Sequence, residues 1–226
     1  MRSIPQFLIA APTSGSGKTT VSRGLMALFM KKGLKVQPFK CGPDYIDTKY
    51  HEAVCGRPSV NLDTFMASQE HVSSLYARYS ADADVAVVEG MMGMYDGYDR
   101  DRGSSAEVAR LLGIPVESRH LGLDFSRSKE TEGLDMLAGL LEEHVDWELL
   151  LSTTGLPLPA AAVKEKPVLS EPGKLHVSVA RNEESFSFLY AEHLDILRRM
   201  GTVTFFNPEH DRPIPQETDL LYLPRG

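Results

Sequence analysis

At about 150 residues per domain, a chain of 226 residues makes roughly one and a half domains. Its formal charge of −7 argues against a nucleic-acid partner, which would need a basic face to neutralise phosphates. Hydrophobic residues at 42% and charged residues at 24% exclude a disordered chain. No apolar run approaches the ~20 residues of a membrane span, and the first residues carry neither the apolar stretch nor the small-residue cleavage site of a secretory leader. Two cysteines, Cys41 and Cys55, make no disulfide framework. A cytoplasmic protein with no membrane partner is expected.

Phe7 to Ala11 (FLIAA) reads as a short buried strand. A Pro-Thr-Ser-Gly-Ser-Gly segment follows, and then Val21, Leu25, Leu28 and Phe29 recur at helical spacing until Gly33. Val36 to Phe39 is the next strand, so residues 7–40 form a βαβ unit, which implies a parallel sheet with a right-handed crossover. A helix is predicted over 69–79, and a buried strand over 84–89 ends at Gly90, on the sheet edge where ligands collect. A short helix over 104–112 opens on Ser-Ser-Ala-Glu, which resembles a capping box. Gly113 to Val116 starts a strand that Glu117-Ser118-Arg119-His120 does not continue. Only about three strands are evident to this point, fewer than a sheet usually has, so elements are expected to be missing after residue 116.

One amphipathic helix is predicted over 134–151 from Leu134, Leu137, Leu140, Leu141, Val145 and Leu149. Residues 155–174, with Pro157, Pro159, Pro167, Pro172 and Gly173, read as an interdomain linker. A strand over 175–180, a helix over about 188–200, and strands over 202–206 and 220–223 then open a second α/β unit. The expected division is thus 1–154, linker 155–174 and 175–226, with the second unit incomplete because three strands and one helix do not easily cover both faces of a parallel sheet.

Ser14-Gly15-Ser16-Gly17-Lys18-Thr19-Thr20 is the strongest chemical signal. A phosphate-binding loop needs glycines that let backbone N–H groups face phosphate oxygens, a helix N-terminus behind them, a Lys for the β/γ-phosphates and a hydroxyl for Mg²⁺. Lys18 and Thr19 fit the last two roles. Pro12 stands where the usual pattern has its first glycine, and a Gly/Ser turn capping a helix is the plainer alternative. Phe39-Lys40-Cys41-Gly42-Pro43-Asp44-Tyr45-Ile46-Asp47 places two acids and a Lys at a strand end beside that loop. Asp44 suits Mg²⁺, which takes hard oxygen ligands, though Gly-Pro-Asp also suits a simple turn. Glu89 ends a buried strand as the metal-linked acid of phosphate-loop enzymes does. The turn Met91–Gly97 carries Tyr95 and Asp96, which either close on a substrate or belong to a loop whose methionines fill gaps. The seven histidines show no ligand-like pairing and are read as structural or solvated, and both cysteines as small hydrophobes.

Taken together and in order, APTSGSGKTT, FKCGPDYID, NLDTFM and VVEGMMGMYDG resemble the cobyrinic acid a,c-diamide synthases. SRHLGL with the Leu-rich helix after it, and VSVARNEESFSFLYAEHLDILRRMG with DLLYLP, resemble the same family, the latter pair the opening of its glutamine amidotransferase domain. Enzymes acting on hydrogenobyrinic acid and on nickel-sirohydrochlorin share these motifs. The resemblance implies a phosphate-loop NTPase-like α/β fold and ATP-dependent amidation of the a and c acetates of a corrinoid through acyl phosphates, with ammonia normally drawn from glutamine. Ser14, Gly15, Ser16, Gly17, Lys18, Thr19 and Thr20 would bind ATP, and Lys18, Asp44 and Glu89 would be catalytic. Thr19, Asp44 and Glu89 would hold Mg²⁺, while Tyr45, Asp47 and Asp96 would face the substrate. Pro12 is normal in this family.

Two departures stand out. The family has further strands and helices between Val116 and SRHLGL, and it continues past Gly226 with the glutaminase Cys and His. The chain is therefore read as internally deleted and truncated, with activity that depends on free ammonia. A non-catalytic nucleotide-binding remnant is the competing expectation. A partitioning-type ATPase would need a second Lys early in the loop, where Pro12, Thr13 and Ser14 stand. A homodimer stays open.

Overall fold

The computed structural model describes residues 2–99, 101–117, 130–159, 174–182, 186, 189–210 and 214–224. The chain divides into two compact units, Met1–Val163 and Lys164–Gly226.

The first unit contains β1 (Ser3–Ile9), α1 (Lys18–Lys31), β2 (Val36–Cys41), α2 (Asp47–Cys55), β3 (Val60–Leu62), α3 (Gln69–Ser80), β4 (Val85–Glu89), α4 (Ser105–Leu112), β5 (Val116–Glu117), α5 (Glu130–His144), α6 (Trp147–Thr153) and β6 (Gly155–Pro157). Five strands run parallel in the order β3-β2-β4-β1-β5, and β6 pairs antiparallel with β1. Strands β2 and β4 are buried along their whole length, as a sheet covered on both faces requires. On one face Phe7, Ile9, Val36, Val85 and Val87 pack against Leu25, Leu28 and Phe29 of α1 and Leu137 and Leu141 of α5. Helix α5 comes so close to α1 that a Cβ on Gly24 would stand 2.5 Å from Leu141 Cδ1. On the other face the Tyr76 ring of α3 lies 4.7 Å from that of Phe39, and its hydroxyl donates to Gln6 Oε1 at 3.0 Å.

Four expectations change here. The sheet has six strands rather than about three, because β3, β5 and β6 are strands of two or three residues, too short to show a period. The helix expected over 134–151 is two helices, since Asp146 accepts the Leu149 N–H at 2.9 Å and caps a new start. Residues 155–157, read as linker, are β6, with Ile4 opposite Leu156. Beyond the elements expected, residues 47–55 form the helix α2. The Ser104 hydroxyl accepts the Glu107 N–H at 3.2 Å as a capping box requires, but the Glu107 carboxylate takes the N–H of Gly103 instead of Ser104. The SRHLGL motif and most of the expected linker lie outside the described residues.

The second unit is a three-stranded parallel sheet, β8-β7-β9, from β7 (Leu175–Ala180), β8 (Gly201–Phe206) and β9 (Leu220–Tyr222), with α7 (Ala191–Met200) between β7 and β8. Val177, Val179 and Leu197 form its core. Among the described residues no helix is long and apolar enough to cross a membrane.

Candidate nucleotide site

Topology selects one place on the first sheet. From β1 the chain crosses by α1 to β2, and from β4 it crosses by α4 to β5, so two adjacent strands send their helices in opposite directions. The crevice at their carboxyl ends is a switch point, where ligands of open α/β sheets bind.

The loop 12–17 joins β1 to α1 there, and Ser14, Gly15 and Ser16 are exposed. Gly17, the N-cap of α1, offers no side-chain cap, so the dipole and N–H groups of the first turn, which includes Lys18, Thr19 and Thr20, are left for an anion. Lys18 is buried and donates to the Thr13 carbonyl at 3.2 Å, an ammonium folded back over the loop. Burial first, then the charge of Lys40, lowers its pKa.

Parallel register places Ile9, Glu89 and Lys40 side by side at the ends of β1, β4 and β2. Glu89 is fully buried. Its Oε1 accepts from the Thr19 hydroxyl at 2.7 Å and from Lys40 at 2.9 Å, and its Oε2 accepts from His51 Nε2 at 2.7 Å. Burial opposes this charge, but the His51 bond and the Lys40 ammonium outweigh it and hold the carboxyl at about 2. Lys40 also donates to Asp47 Oδ2 at 2.5 Å and to the Gly90 carbonyl at 3.2 Å, and it lies 3.5 Å from Asp44 Oδ2. Burial works against this ammonium too, yet Glu89 and Asp47 push its pKa above the usual lysine value. Asp47 is driven up to about 6 by burial and by the charge of Glu89. Asp44 is held below the usual range: burial is offset by the Asp47 N–H, by Lys40 and by the Ile46 N–H.

The structure thus brings Lys18, Thr19, Asp44, Asp47 and Glu89 into one cluster. Tyr45, half-buried, lies between the two aspartates. Asp96 sits in a local turn, where its Oδ2 accepts the Gly93 N–H at 2.8 Å, and its charge reaches Lys18. That turn is pinned rather than loose: the Met94 N–H donates to the Ala11 carbonyl at 2.9 Å and the Met91 N–H to Ser105 Oγ at 2.8 Å. Met92 within it holds a left-handed φ of 46°.

Sequence reasoning missed His51 and left Lys40 without a role. His51, read as structural or solvated, is fully buried between Ser59 Oγ at 3.0 Å and Glu89. The signal was the i, i+4 spacing of Asp47 and His51, which puts both on one face of α2, turned to the strand ends. Both cysteines are buried, and burial pushes their thiols up to about 12.

For a cation the donor set is hard oxygen. The Thr19 hydroxyl and the partly exposed Asp44 carboxylate fit Mg²⁺ held jointly with a nucleotide's phosphates. Glu89 Oε1 already accepts from Thr19 and Lys40 and its Oε2 from His51, which leaves one acceptor position, on Oε2, and sets Glu89 behind Thr19. Among the described residues no group of three or more His, Cys, Asp and Glu side chains forms a metal cage by itself.

A family profile described as "CobQ/CobB/MinD/ParA nucleotide binding domain" matches residues 7–207. The chain is 32% identical to the cobyrinate a,c-diamide synthase of Salmonella typhimurium over 97% of its own length and 64% of that protein. It is 34% identical to the same-named protein of Caldanaerobacter subterraneus over the same shares, and 33% identical to the hydrogenobyrinate a,c-diamide synthase of Rhodobacter capsulatus over 96% of itself and 66% of that protein. The chain therefore spans just under two thirds of the length of these relatives.

Proposed function

The chain belongs to the CobQ/CobB/MinD/ParA nucleotide-binding family, and we propose that it uses ATP and Mg²⁺ to amidate the a and c acetates of cobyrinic acid or a close tetrapyrrole relative. The single observation that carries this reading is the buried chain Thr19–Glu89–Lys40–Asp47 at the mouth of the phosphate loop. The names of its relatives support the substrate.

The N-terminus of α1 and Lys18 bind the β- and γ-phosphates and stabilise charge on the transferring group. Lys18 leaves the Thr13 carbonyl to do so. Glu89 holds the Thr19 hydroxyl and Lys40 in place, and Asp44, Tyr45, Asp47 and Asp96 line the approach of the acetate. Thr19 and Asp44 would hold Mg²⁺, which would neutralise phosphate charge. The acetate oxygen takes the γ-phosphoryl group and ADP departs. Ammonia then forms the C–N bond, the C–O bond to phosphate breaks, and phosphate leaves with the electron pair while ammonia gives up a proton. Ammonia is the proposed nucleophile, and neither Cys41 nor Cys55, both buried with raised thiols in the first unit, is given a part in supplying it.

The matches run over 296 positions against the 226 residues here, which supports reading the chain as lacking elements its relatives have. That observation also favours the second reading, a nucleotide binder that does not turn over. The test is calorimetric titration with MgATP, followed by amide formation on cobyrinic acid with ammonium ion, read by mass spectrometry. Saturable ATP binding that Lys18→Ala abolishes, with ammonia-dependent product, is the expected result. Binding without product selects the second reading, and no binding by the folded chain overturns both.

A further inference from the structure

One motif touches the nucleotide cluster only at its first residue, where Asn61 donates to the Gly42 and Asp44 carbonyls at 2.8 and 2.7 Å. NLDTFM, residues 61–66, presents Phe65 at 62% and Met66 at 68% exposure, although its turn is tightly held. Buried Asp63 accepts the N–H groups of Phe65 and Met66 at 2.9 and 3.3 Å. The Thr64 hydroxyl donates to Glu107 Oε2 at 2.7 Å, and the same oxygen takes the Gly103 N–H at 2.6 Å, so one carboxylate clamps this turn to the segment after β4. That segment carries Tyr98, half exposed, whose ring meets Phe65 edge-to-face at 4.9 Å. The inner side of the Tyr98 ring rests on Gly103, whose φ is +77° and where a Cβ would stand 2.5 Å from Cδ1. The Arg102 guanidinium lies 5.8 Å from the centre of the Tyr98 ring, 66% exposed and only loosely against Asp99 at 3.9 Å. A hollow of about 380 Å³ opens beside it, lined by Gln69, Asp101, Arg102, Glu107, Arg110 and Leu111.

Single exposed apolar residues need no explanation, but a rigid aromatic pair next to a loosely paired guanidinium is a recognition surface. The surface is tied to the nucleotide site at two points: the turn that leads from Glu89 toward Tyr98 is hydrogen-bonded to Ala11 at the base of the phosphate loop, and Asn61 to the Asp44 carbonyl. Resting on the function proposed above, we infer that Phe65 and Tyr98 form the platform for the macrocycle of a tetrapyrrole polycarboxylate, with Arg102 binding a peripheral carboxylate. Exposed aromatic rings offer apolar contact area to the body of the macrocycle, and a guanidinium matches a carboxylate in bidentate fashion.

The test is calorimetric titration of the full chain with cobyrinic acid, and separately with MgATP, for wild type, Phe65→Ala and Arg102→Gln. Phe65→Ala weakens cobyrinic acid binding about ten-fold and Arg102→Gln several-fold, with MgATP binding unchanged. Arg102→Gln has no effect on binding of the neutral methyl ester of the acid. Wild-type binding of cobyrinic acid that neither variant weakens overturns the platform and leaves the function standing. Weaker MgATP binding in Phe65→Ala also overturns it, since the ring pair would then serve adenine. A wild-type chain that binds MgATP but no cobyrinic acid overturns the function, and the platform falls with it.

Discussion

Lys40→Met is the sharpest perturbation of the buried cluster. The Lys40 side chain is 3% exposed and Glu89 is not exposed at all, so no water replaces the lost ammonium. Removing one partner of a buried ion pair leaves an uncompensated charge and costs about 3–5 kcal/mol. The lower end applies, because Glu89 keeps Thr19 and His51 and because Asp44 and Asp47 reach solvent in part. About 3 kcal/mol lowers the melting temperature of a domain this size by roughly 6–12 °C. Urea unfolding followed by circular dichroism at pH 7 measures the loss, and adding Glu89→Gln recovers most of it, because both charges are then gone. The deficit of Lys40→Met also shrinks in acid as the stranded carboxyls protonate. A Lys40→Met chain within about 0.5 kcal/mol of wild type at pH 7 would refute the view that this ammonium holds the acids together.

Glu89 and Asp47 act on the pH dependence of stability in opposite directions. Glu89, at about 2 in the folded chain against an ordinary 4.5, contributes stability above pH 4.5 that is lost as pH falls through 2. Asp47, raised to about 6 from 3.8, holds its proton more tightly when folded, so stability is gained as pH falls from 6 to 3.8, on the order of 3 kcal/mol. The urea midpoint should therefore rise from pH 7 to about pH 4 and fall below it, and a steady decline from pH 7 would contradict the Asp47 assignment. Phe29→Ala, at a fully buried ring packed edge-on to Phe7 at 6.2 Å, should cost about 3–5 kcal/mol by the same urea assay. A loss under about 1 kcal/mol would mean that α1 does not seat on the sheet as described.

What the sequence made legible was local. FLIAA, the glycine loop and the Val21–Phe29 spacing lie within one strand–loop–helix unit, so their order alone placed the phosphate loop. Asp44 and Glu89 were found because each follows directly from a strand end. Helix α2 was not found, because only His51 and Cys55 of its nine residues are buried and no apolar stripe exists to detect. With α2 unseen, the shared face of Asp47 and His51 was unseen too. Lys40 was noticed but not valued, since its importance comes from the register of β2 against β4, a pairing between residues 49 positions apart. The false single helix over 134–151 has a similar cause: Leu149 continues the apolar spacing, yet it is 56% exposed, and Asp146 decides the break.

The expected shortage of strands bears on whether the phosphate loop has a rigid base, and β1 answers it. A central strand left with a bare edge would expose unpaired N–H and C=O groups and invite pairing with another chain. Here two short strands of opposite direction divide that edge. Leu8 and Ile9 pair with β5, while Ser3, Ile4 and Pro5 pair with β6. Gln6, at the junction, donates its N–H to the Thr154 carbonyl at 3.0 Å and its side-chain amide to the Leu156 carbonyl at 2.5 Å. Neither β5 nor β6 is long enough to hold an edge alone, but each covers the part the other leaves open. The strand that carries the phosphate loop is therefore bonded on both sides, to β4 on one and to β5 and β6 on the other. Glu89, on the β4 side, can then fix Thr19 against a base that does not fray, and the geometry at Lys18 follows from pairing within this unit alone.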